Sequence, residues 1–323
     1  MPMGEFDLID QYFKSAVQQG RALLGIGDDC ALWRPTAGHD LALSCDMLVE
    51  GRHFLPDVSP ESLGHKALAV NLSDLAACGA TPRAFLLALA LPNANADWLA
   101  GFSKGLLALA HDQGCELIGG DTTQGPLNVC ITVMGEVPMG QALLRSAAQV
   151  GDDIYVSGTL GDARLALEVH RQHLLLPNEP LAFCQRRMDR PTPRVALGQA
   201  LRGLAHAAAD ISDGLIGDLS HILKASGVGA ELDLAAVRTL CQTVQSCPLP
   251  EALLDTCALA GGDDYELVFT APQQARSAIV QAAAHCQTAV SRIGQITAGS
   301  SLIVRLGDQA INTSHLRSFD HFN

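Results

Sequence analysis

Short apolar runs alternate with longer amphipathic stretches along this chain, and many runs end beside a glycine or an aspartate. Short apolar runs between turn residues are typical of strands, whereas an i, i+3, i+4 repeat over a longer stretch is typical of a helix. The pattern predicts strands at 23–26, 31–34, 41–45, 83–91, 115–118, 127–137, 153–157, 207–211, 265–270, 290–296 and 302–306.

The helical repeat is clearest after Ser59, which is a suitable N-cap. Leu63, Ala67 and Val70 fall on one stripe of that helix, and Asp74 falls on the same stripe. A buried carboxylate without a partner is costly, so we expect Asp74 to have one. Helices are predicted at 4–15, 59–79, 97–113, 215–225 and 273–285, with others starting at 163 and within the "RPTPRV" segment.

Strands and helices are mixed along the whole chain, and short turns join some neighbouring strands. This order favours two α+β (α/β two-domain) halves over one doubly wound parallel sheet. A length of 323 residues is long for one hydrophobic core and comfortable for two domains. Because the pattern changes at 138–150, the sequence predicts an N-terminal domain at 1–137 and a C-terminal domain at 138–323.

The composition is that of a globular protein, with 48% hydrophobic and 17% charged residues. The formal net charge is −13. Nucleic acids and anionic membranes are bound by basic patches, so this balance argues against both as partners. A protein with this net charge repels a phosphate-bearing ligand, so another positively charged group would have to neutralise the phosphate.

Cysteine usage and the N-terminus indicate the cellular setting. The 10 cysteines form neither a CxxC pair nor a Cys/His spacing typical of zinc. The N-terminus lacks the regions of a signal peptide, and no apolar run reaches membrane-spanning length. We therefore expect a reducing, cytoplasmic setting.

A P-loop is excluded, because no GxxxxGK[ST] run is present.

Aspartates beside glycines or at the ends of apolar runs are the candidate chemistry. Magnesium prefers hard oxygen ligands and takes few carboxylates per ion, alongside water and substrate phosphates. The candidates are Asp28, Asp46, Asp74, Asp121, Asp210 and Asp213. Six acids exceed the need of one ion, so we expect several ions in a pocket where loops converge. Such ions would attract the phosphates that the net charge repels.

Other acids and bases have simpler structural interpretations. Asp264 can be a turn residue at the start of a strand, and Asp28 and Asp213 alone could be a turn residue and a helix cap. The "VGDDIY" aspartates are interpreted as turn residues only. His53 is interpreted first as an ordinary surface residue. Arg145 fits phosphate pairing and a solvated face equally well.

Eight segments occur in a characteristic order: "GIGDDCAL", "SCDMLVEGRHF", "KALAVNLSDLAACGATP", "LIGGDTTQG", "VSGTLGDA", "DISDGL", "GGDDYEL" and "FDHF". This series resembles the thiamine-monophosphate kinase family, of the aminoimidazole-ribonucleotide synthetase-like superfamily, along nearly the whole chain. The resemblance implies an N-terminal mixed sheet that forms a barrel across a homodimer, and a C-terminal α/β domain.

The resemblance also implies the reaction. The γ-phosphate of ATP would pass directly to thiamine monophosphate, giving thiamine diphosphate and ADP without a phosphoryl-enzyme intermediate. Such transfer depends mainly on positioning and on charge neutralisation by magnesium. The acceptor phosphate is already deprotonated near neutral pH, so no catalytic side chain is predicted.

Site residues follow from the resemblance, position by position. The metal ligands would be Asp28, Ser44, Cys45, Asp46, Asp74, Asp121, Asp210 and Asp213. The ATP contacts would be Gly120, Asp121, Arg145 and Ser212. The substrate contacts would be His53, Asp263 and Phe319.

Three positions depart from the family pattern. Cys45 replaces a usual threonine, and a thiol is a poor magnesium ligand, so its backbone carbonyl would take over any role. Asp263 replaces a usual glutamate, which shortens its reach to substrate. Arg52 replaces a usual small apolar residue, and the sequence gives it no role.

Two other hypotheses are compatible with the acidic segments. A superfamily relative could keep ATP and change the acceptor, as in a synthetase that closes an amidine ring. A chain of another class could be a non-catalytic module, stabilised by divalent ions, that senses nucleotide. Formation of thiamine diphosphate from ATP, magnesium and thiamine monophosphate separates the kinase from the synthetase. A fall in turnover by orders of magnitude in Asp74→Asn and Asp121→Asn separates it from the non-catalytic module, which has no turnover to lose.

Overall fold

The computed structural model describes residues 5–14, 21–243, 247 and 249–319. The chain forms two compact units, the first from Met1–Leu75 and Ala80–Gly140, and the second from Ala76–Gly79 and Gln141–Asn323. Residues 4 and 15, which bound the first predicted helix, lie outside the described part.

The first unit holds one four-stranded sheet and its helices. Its elements are α1 (Glu5–Leu8), a π-helical stretch (Ile9–Lys14), β1 (His39–Val49), α2 (Pro60–Ala77), β2 (Thr81–Leu91), α3 (Ala96–Asp112), β3 (Glu116–Gln124) and β4 (Asn128–Pro138). The strand order is β1-β4-β2-β3. Strand β2 is parallel to β3, whereas β4 is antiparallel to both β1 and β2.

Helix α2 covers one face of this sheet. The Leu75 side chain packs against Gly135 of β4 so closely that a Cβ added at position 135 would lie 3.0 Å from its methyl carbons. On the covered face, Val133 and Ile131 of β4 are buried. On the other face, β1 exposes a row of apolar side chains at alternate positions, Leu41, Leu43 and Met47. The first unit therefore has one sheet face in its core and one open face.

The second unit holds a seven-stranded sheet. Its elements are β5 (Asp153–Ser157), α4 (Asp162–His170), α5 (Asn178–Asp189), α6 (Val195–Ala200), β6 (Ala207–Ile211), α7 (Leu215–Ser226), β7 (Gly229–Asp233), α8 (Leu234–Thr239), α9 (Glu251–Ala260), β8 (Glu266–Ala271), α10 (Arg276–His285), β9 (Val290–Thr297), β10 (Leu302–Leu306) and β11 (Gln309–Ile311). Short 3₁₀ turns occupy Arg145–Ala147 and Gln273–Ala275.

The strand order of this sheet is β11-β10-β7-β9-β5-β8-β6. Strands β7 and β10 are parallel, and the other described pairs are antiparallel. Strands β5, β8 and β6, at one end of this order, are buried on both faces. Mixed sheets in both units confirm the expectation that neither half is a doubly wound parallel fold.

The "LIGGD" stretch is not a bend, which corrects the sequence prediction. Strand β3 runs through it, and Gly120 pairs with Leu87 of the neighbouring strand β2. A Cβ at position 120 would lie 1.8 Å from the Leu87 carbonyl oxygen, and the φ of Gly120 is +148°. The glycine is therefore required by close contact between two strands.

Two other strand predictions need correction. Strand β1 continues to Val49, so Asp46 lies inside a strand and not at its end. The short strands predicted at 23–26 and 31–34 reduce to an isolated antiparallel bridge between Leu24 and Leu32. The idea that all the acids sit on loop tips is thus wrong for Asp46 and Asp121.

Candidate active site

A serine–aspartate pair joins strand β1 to helix α2 in the first unit. Ser44 Oγ donates a hydrogen bond of 2.5 Å to Asp74 Oδ2. This hydroxyl is the partner that the position of Asp74 on an apolar stripe predicts, so that expectation is confirmed. Two side chains of the predicted metal set are in direct contact.

Asp46 lies next to this pair. It is two residues beyond Ser44, and alternate residues of a strand share a face. The Asp46 N–H donates to Asn71 Oδ1 at 3.1 Å, and Asn71 Nδ2 donates to the Ala67 carbonyl at 3.0 Å. The buried Asn71 was not among the residues predicted from the sequence. Its position three residues before Asp74, on the same side of the helix, was the available signal.

Asp28 lies in an exposed turn before β1. Its carboxylate accepts the N–H of Asp29 at 2.8 Å. The start of this segment is held to β3, because Glu116 Oε2 accepts the N–H groups of Arg21 and Ala22 at 2.8 and 3.2 Å. The turn interpretation of Asp28 thus describes its local geometry.

Asp46 and Asp121 lie on opposite edge strands of the four-stranded sheet. Asp46 pairs with Ile131 of β4, and Asp121 pairs with Ala88 of β2. Neighbouring strands are about 4.8 Å apart, so three strand spacings separate the main chains at these two residues by roughly 14 Å. A single chain does not bring these two predicted ligands together through the sheet.

The Cys45 thiol faces away from the serine–aspartate pair. Its Sγ lies 3.5 Å from Cys130 Sγ and accepts a hydrogen bond from Thr132 Oγ1 at 3.4 Å, both on the neighbouring strand β4. These contacts belong to the open face of the sheet, because Cys45 alternates with Ser44 and Asp46 along β1. The thiol is thereby separated from the side-chain oxygens of Ser44 and Asp74.

His53 has a fixed ring orientation in the turn after β1. Its Nδ1 accepts the Val49 N–H at 3.0 Å. An accepting Nδ1 carries no proton, so the proton of the neutral ring lies on Nε2. Nε2–H is then the donor of the neutral ring.

Four predicted site residues of the second unit come together through main-chain hydrogen bonds. The Asp263 N–H donates to the Ser212 carbonyl at 2.7 Å. The Phe319 N–H donates to the Asp213 carbonyl at 3.2 Å. We call residues 211–214 the hub loop. The predicted nucleotide and metal residues of this loop therefore hold two of the three residues that are predicted to contact the substrate.

The C-terminal segment can lie against the hub loop because Gly217, in the first turn of helix α7, has no side chain. A Cβ at Gly217 would lie 2.2 Å from Ser318 Oγ, so a side chain there would displace the segment. Phe319 follows directly, and its side chain is partly exposed. An exposed ring held by its own main chain is available to stack on a flat ligand.

A carboxylate that was not among the predicted site residues lies behind the hub loop. Asp218 Oδ2, in the first turn of α7, accepts the N–H groups of Ser212, Asp213 and Gly214 at 3.0, 3.0 and 3.1 Å. Burial raises the pKa of Asp218 to about 7, although the three N–H donors act in the opposite direction. One oxygen thus orients three successive peptide groups.

Asp210 lies close to the hub loop, whereas the main chain of Arg145 lies at the far end of helix α7. Asp210 is buried near the end of β6, two residues before Ser212. The Arg145 carbonyl accepts from Ser226 Oγ at 2.8 Å, at the far end of α7. A helix of this length spans about 17 Å. The main chain of Arg145 is therefore well separated from the hub loop.

Buried charges lie beneath the "GGDDYEL" segment. Glu266 is fully buried and accepts hydrogen bonds from Ser157 Oγ at 2.6 Å and from the Arg187 and Arg194 guanidiniums. Asp264 accepts the Gly161 N–H at 2.9 Å, and burial raises its pKa well above the usual value. Asp264 is thus more than the turn residue that the sequence suggested.

The main chain at residues 263 and 265, next to these buried charges in the sequence, has an uncommon conformation. Asp263 and Tyr265 have φ values of +59° and +50°, which non-glycine residues rarely adopt. Tyr265 Oη donates to Asp263 Oδ1 at 3.1 Å. The buried contacts of the neighbouring Asp264 and Glu266 therefore fix where the Asp263 carboxylate stands.

The donor chemistry of the predicted metal residues fits magnesium. Carboxylates and the Ser44 hydroxyl are hard oxygen donors, and Ser44 and Asp74 already lie in contact. Within the described part of the chain, no three His, Cys, Asp or Glu side chains cluster closely enough to hold an ion by themselves. Such a sparse protein ligand set is usual for magnesium that is shared with substrate phosphates.

Both units match domains of one protein class. Residues 27–137 match the AIR synthase related protein, N-terminal domain, and residues 149–307 match the AIR synthase related protein, C-terminal domain. The class defined by this fold is therefore a two-domain α/β protein of the AIR synthase superfamily with mixed sheets. No described helix has the length and apolar character needed to span a membrane.

Full-length relatives narrow the class. The thiamine-monophosphate kinase of Escherichia coli O157:H7 is 46% identical over 325 residues, covering 100% of this chain and 99% of that protein. The thiamine-monophosphate kinase of Bacillus subtilis (strain 168) is 33% identical, covering 99% of this chain and 100% of that protein. The chain belongs to the thiamine-monophosphate kinase family of enzymes.

Solved structures agree with this assignment. The crystal structure of thiamine-monophosphate kinase from Stenotrophomonas maltophilia K279a has a TM-score of 0.85 and 45% identity, covering 94% of this chain and 97% of that chain. The structure of AaThiL complexed with AMPPCP and TMP has a TM-score of 0.76 and 27% identity, covering 99% of this chain and 97% of that chain.

Proposed function

We propose that this protein transfers the γ-phosphate of ATP to thiamine monophosphate, giving thiamine diphosphate and ADP. The observation that carries the proposal is the hub loop, in which the predicted nucleotide and metal residues Ser212 and Asp213 hold the predicted substrate residues Asp263 and Phe319. Full-length similarity to thiamine-monophosphate kinases, and to a relative complexed with AMPPCP and TMP, supports the same two ligands.

Each group of residues has a proposed role. His53 offers Nε2–H to an anionic ligand, and Asp263 and the Phe319 ring contact thiamine monophosphate, the ring by stacking on a cationic heterocycle. Gly120, Asp121, Arg145 and Ser212 contact ATP. Arg145 reaches a phosphate with its long exposed side chain. The reaction takes place in the cytoplasm, where the cysteines, which form no disulfide, stay reduced.

Several magnesium ions are proposed, held by oxygen ligands in each unit. In the first unit the ligands are Asp28, Ser44, Asp46, Asp74 and Asp121, with the carbonyl of Cys45 in place of its thiol. In the second unit they are Asp210 and Asp213. Bound magnesium supplies charge neutralisation between two anionic reactants. The side chains keep the phosphates in line, and transfer proceeds without a covalent enzyme intermediate.

We also propose that the protein is a homodimer whose N-terminal sheets close into one barrel. The open face of the first unit is apolar along β1, where Leu41, Leu43 and Met47 are 45%, 64% and 53% exposed. Eight strands are enough to close a barrel with an interior filled by side chains, and two copies supply eight. Pairing across the barrel would also cover the edge strands β1 and β3.

The test is a product assay with purified protein. Incubation with ATP, magnesium chloride and thiamine monophosphate should give equal amounts of thiamine diphosphate and ADP, measured by chromatography. Asp74→Asn should lower the rate by orders of magnitude, because it removes a charged ligand, while Asp308→Asn on an exposed turn serves as the matched control. Absence of thiamine diphosphate contradicts the kinase. ADP formed with another acceptor would favour a synthetase of the same superfamily.

A further inference from the structure

The hub loop presents functional residues on one side and rests on a single carboxylate on the other. Its N–H groups at Ser212, Asp213 and Gly214 all point to Asp218 Oδ2. The carbonyls of Ser212 and Asp213 accept the N–H groups of Asp263 and Phe319. The peptide planes of the loop thus link the buried acid to the residues proposed to bind substrate.

We propose that Asp218 is a positioning residue for the phosphoryl transfer. Its carboxylate fixes the three peptide planes of the hub loop, and those planes set where the Asp263 carboxylate and the Phe319 ring stand. The inference rests on the proposed function, because it assigns these residues to substrate binding. Asp218 itself touches no substrate in this scheme, since it is buried beneath the loop.

The geometry explains why one acid can affect both reactants. Ser212 and Asp213 belong to the proposed nucleotide and metal side, and Asp263 and Phe319 to the acceptor side. The Ile211 carbonyl also accepts the Tyr265 N–H at 2.8 Å, so the strained segment 263–265 is anchored on the hub loop at two points. A shift of the loop would therefore displace both sides together. Misplacement by about 1 Å can cost about a hundredfold in rate.

A purely structural role would give a different result. Many acids in the first turn of a helix only cap it, and their loss lowers stability without changing the site. Asp233 is such a cap in the same unit, accepting the N–H groups of Ala235 and Ala236 at 2.9 and 3.4 Å. It provides the matched control, because both acids accept main-chain N–H groups at the start of a helix.

The kinetic test compares Asp218→Asn, Asp218→Ala and Asp233→Asn in the full chain. Michaelis constants do not depend on the fraction of folded enzyme, and kcat is calculated from the folded fraction measured by circular dichroism, so both report on the site alone. Asp218→Asn should lower kcat/KM for both ATP and thiamine monophosphate by about tenfold, since neutral acceptors bind N–H groups more weakly. Asp218→Ala should lower both by about a hundredfold. Asp233→Asn should lower only the melting temperature.

Hydrogen exchange read by mass spectrometry gives a second measurement that needs no turnover. In Asp218→Asn, amides in 261–265 and 315–319 should exchange faster than in the unaltered protein, because their carbonyl partners are no longer fixed. Unchanged exchange in both segments, or KM and kcat values within twofold of the unaltered enzyme, would overturn the positioning role. An unaltered enzyme that makes no thiamine diphosphate would refute the proposed function, and the exchange result would still decide the role of Asp218.

Discussion

At the scale of single residues, a few oxygen atoms accept hydrogen bonds from parts of the chain that are far apart in sequence. Glu136 of β4 shows this in the first unit. Its carboxylate accepts the Thr36 N–H at 2.9 Å, the Thr36 hydroxyl at 2.6 Å and Arg83 Nε at 2.9 Å. The Glu136 side chain is 1% exposed, so these donors take the place of the water molecules that would otherwise hydrate its carboxylate. It joins the segment before β1 to strands β2 and β4.

The pH dependence of stability should report on this carboxylate. Burial raises the pKa of Glu136, but the hydrogen bonds from Thr36 and Arg83 outweigh burial and lower it to about 2. A lowered folded pKa adds stability that is fully present above the unfolded value near 4.5 and is lost as pH falls towards 2. Over that window the contribution is about 3 kcal/mol.

Urea unfolding at pH 7 and pH 3 checks this prediction. Glu136→Gln should lower the free energy of unfolding at pH 7 by about 3 kcal/mol, since Arg83 loses its carboxylate, and should lose less stability on acidification than the unaltered protein. Glu61→Gln is the control, because Glu61 pairs with Lys104 at 2.9 Å on the surface and should change little. Parallel acid curves for Glu136→Gln and the unaltered protein would contradict the assignment.

Single residues were predictable where a local pattern marked them. Asp74 interrupts an apolar stripe, and this alone indicates that it needs a partner, which proves to be Ser44. Glu136 gives no such signal, because its partner Thr36 is 100 residues away and only the folded sheet brings them together. Asp218 was equally hidden, since an acid in the first turn of a helix is common. Tertiary contacts decide these roles, and the sequence pattern does not contain them.

At the scale of elements, helices α2 and α3 meet through two glycines. A Cβ at Gly64 would lie 2.1 Å from the Phe102 carbonyl oxygen, and one at Gly105 would lie 1.8 Å from the Glu61 carbonyl oxygen. Both distances are far below any normal carbon–oxygen contact. The two helix backbones therefore touch, and this close approach fixes how α3 lies along α2.

A methyl group at this contact should destabilise the first unit. Gly105→Ala should lower the free energy of unfolding by about 2 kcal/mol, even though alanine improves helix propensity by about 1 kcal/mol. Gly101→Ala on the same helix is the control, because its methyl meets the Pro60 side chain at 3.2 Å and the Glu61 backbone nitrogen at 3.6 Å, and it should change stability by less than about 1 kcal/mol. Thermal unfolding followed by circular dichroism measures both. A stabilised Gly105→Ala variant would contradict the contact.

Elements with clear ends were predictable to the residue. The strands at 153–157, 207–211 and 302–306 match β5, β6 and β10, because turn residues bound short, mostly apolar runs. The end of β3 was misjudged at the two glycines, since Gly120 serves close strand contact and not a bend. Strand β7 was missed because only Ala230 and Leu232 are apolar among its five residues, which is too weak a pattern.

At the scale of the whole molecule, the open face of the first unit is the feature that bears on oligomeric state. It would be exposed in a monomer and buried in the proposed dimer. Single exposed apolar residues are common on soluble proteins, but a row along an edge strand is typical of an interface. The face continues from β1 onto β4, where Met134 lies opposite Leu43. No such row was evident in the sequence, because strand boundaries set which alternate residues face outward, and β1 proved longer than predicted.

A charge on this face should separate the dimer. Leu43→Glu puts a carboxylate where two apolar sheets would meet, and burial of an unpaired charge costs more than such an interface returns. Sedimentation velocity should show the unaltered protein as a dimer and Leu43→Glu as a folded monomer. Leu175→Glu is the control, because Leu175 is 92% exposed on the second unit and should leave the dimer intact. A monomeric unaltered protein, or a dimeric Leu43→Glu variant, would refute closure of the barrel through this face.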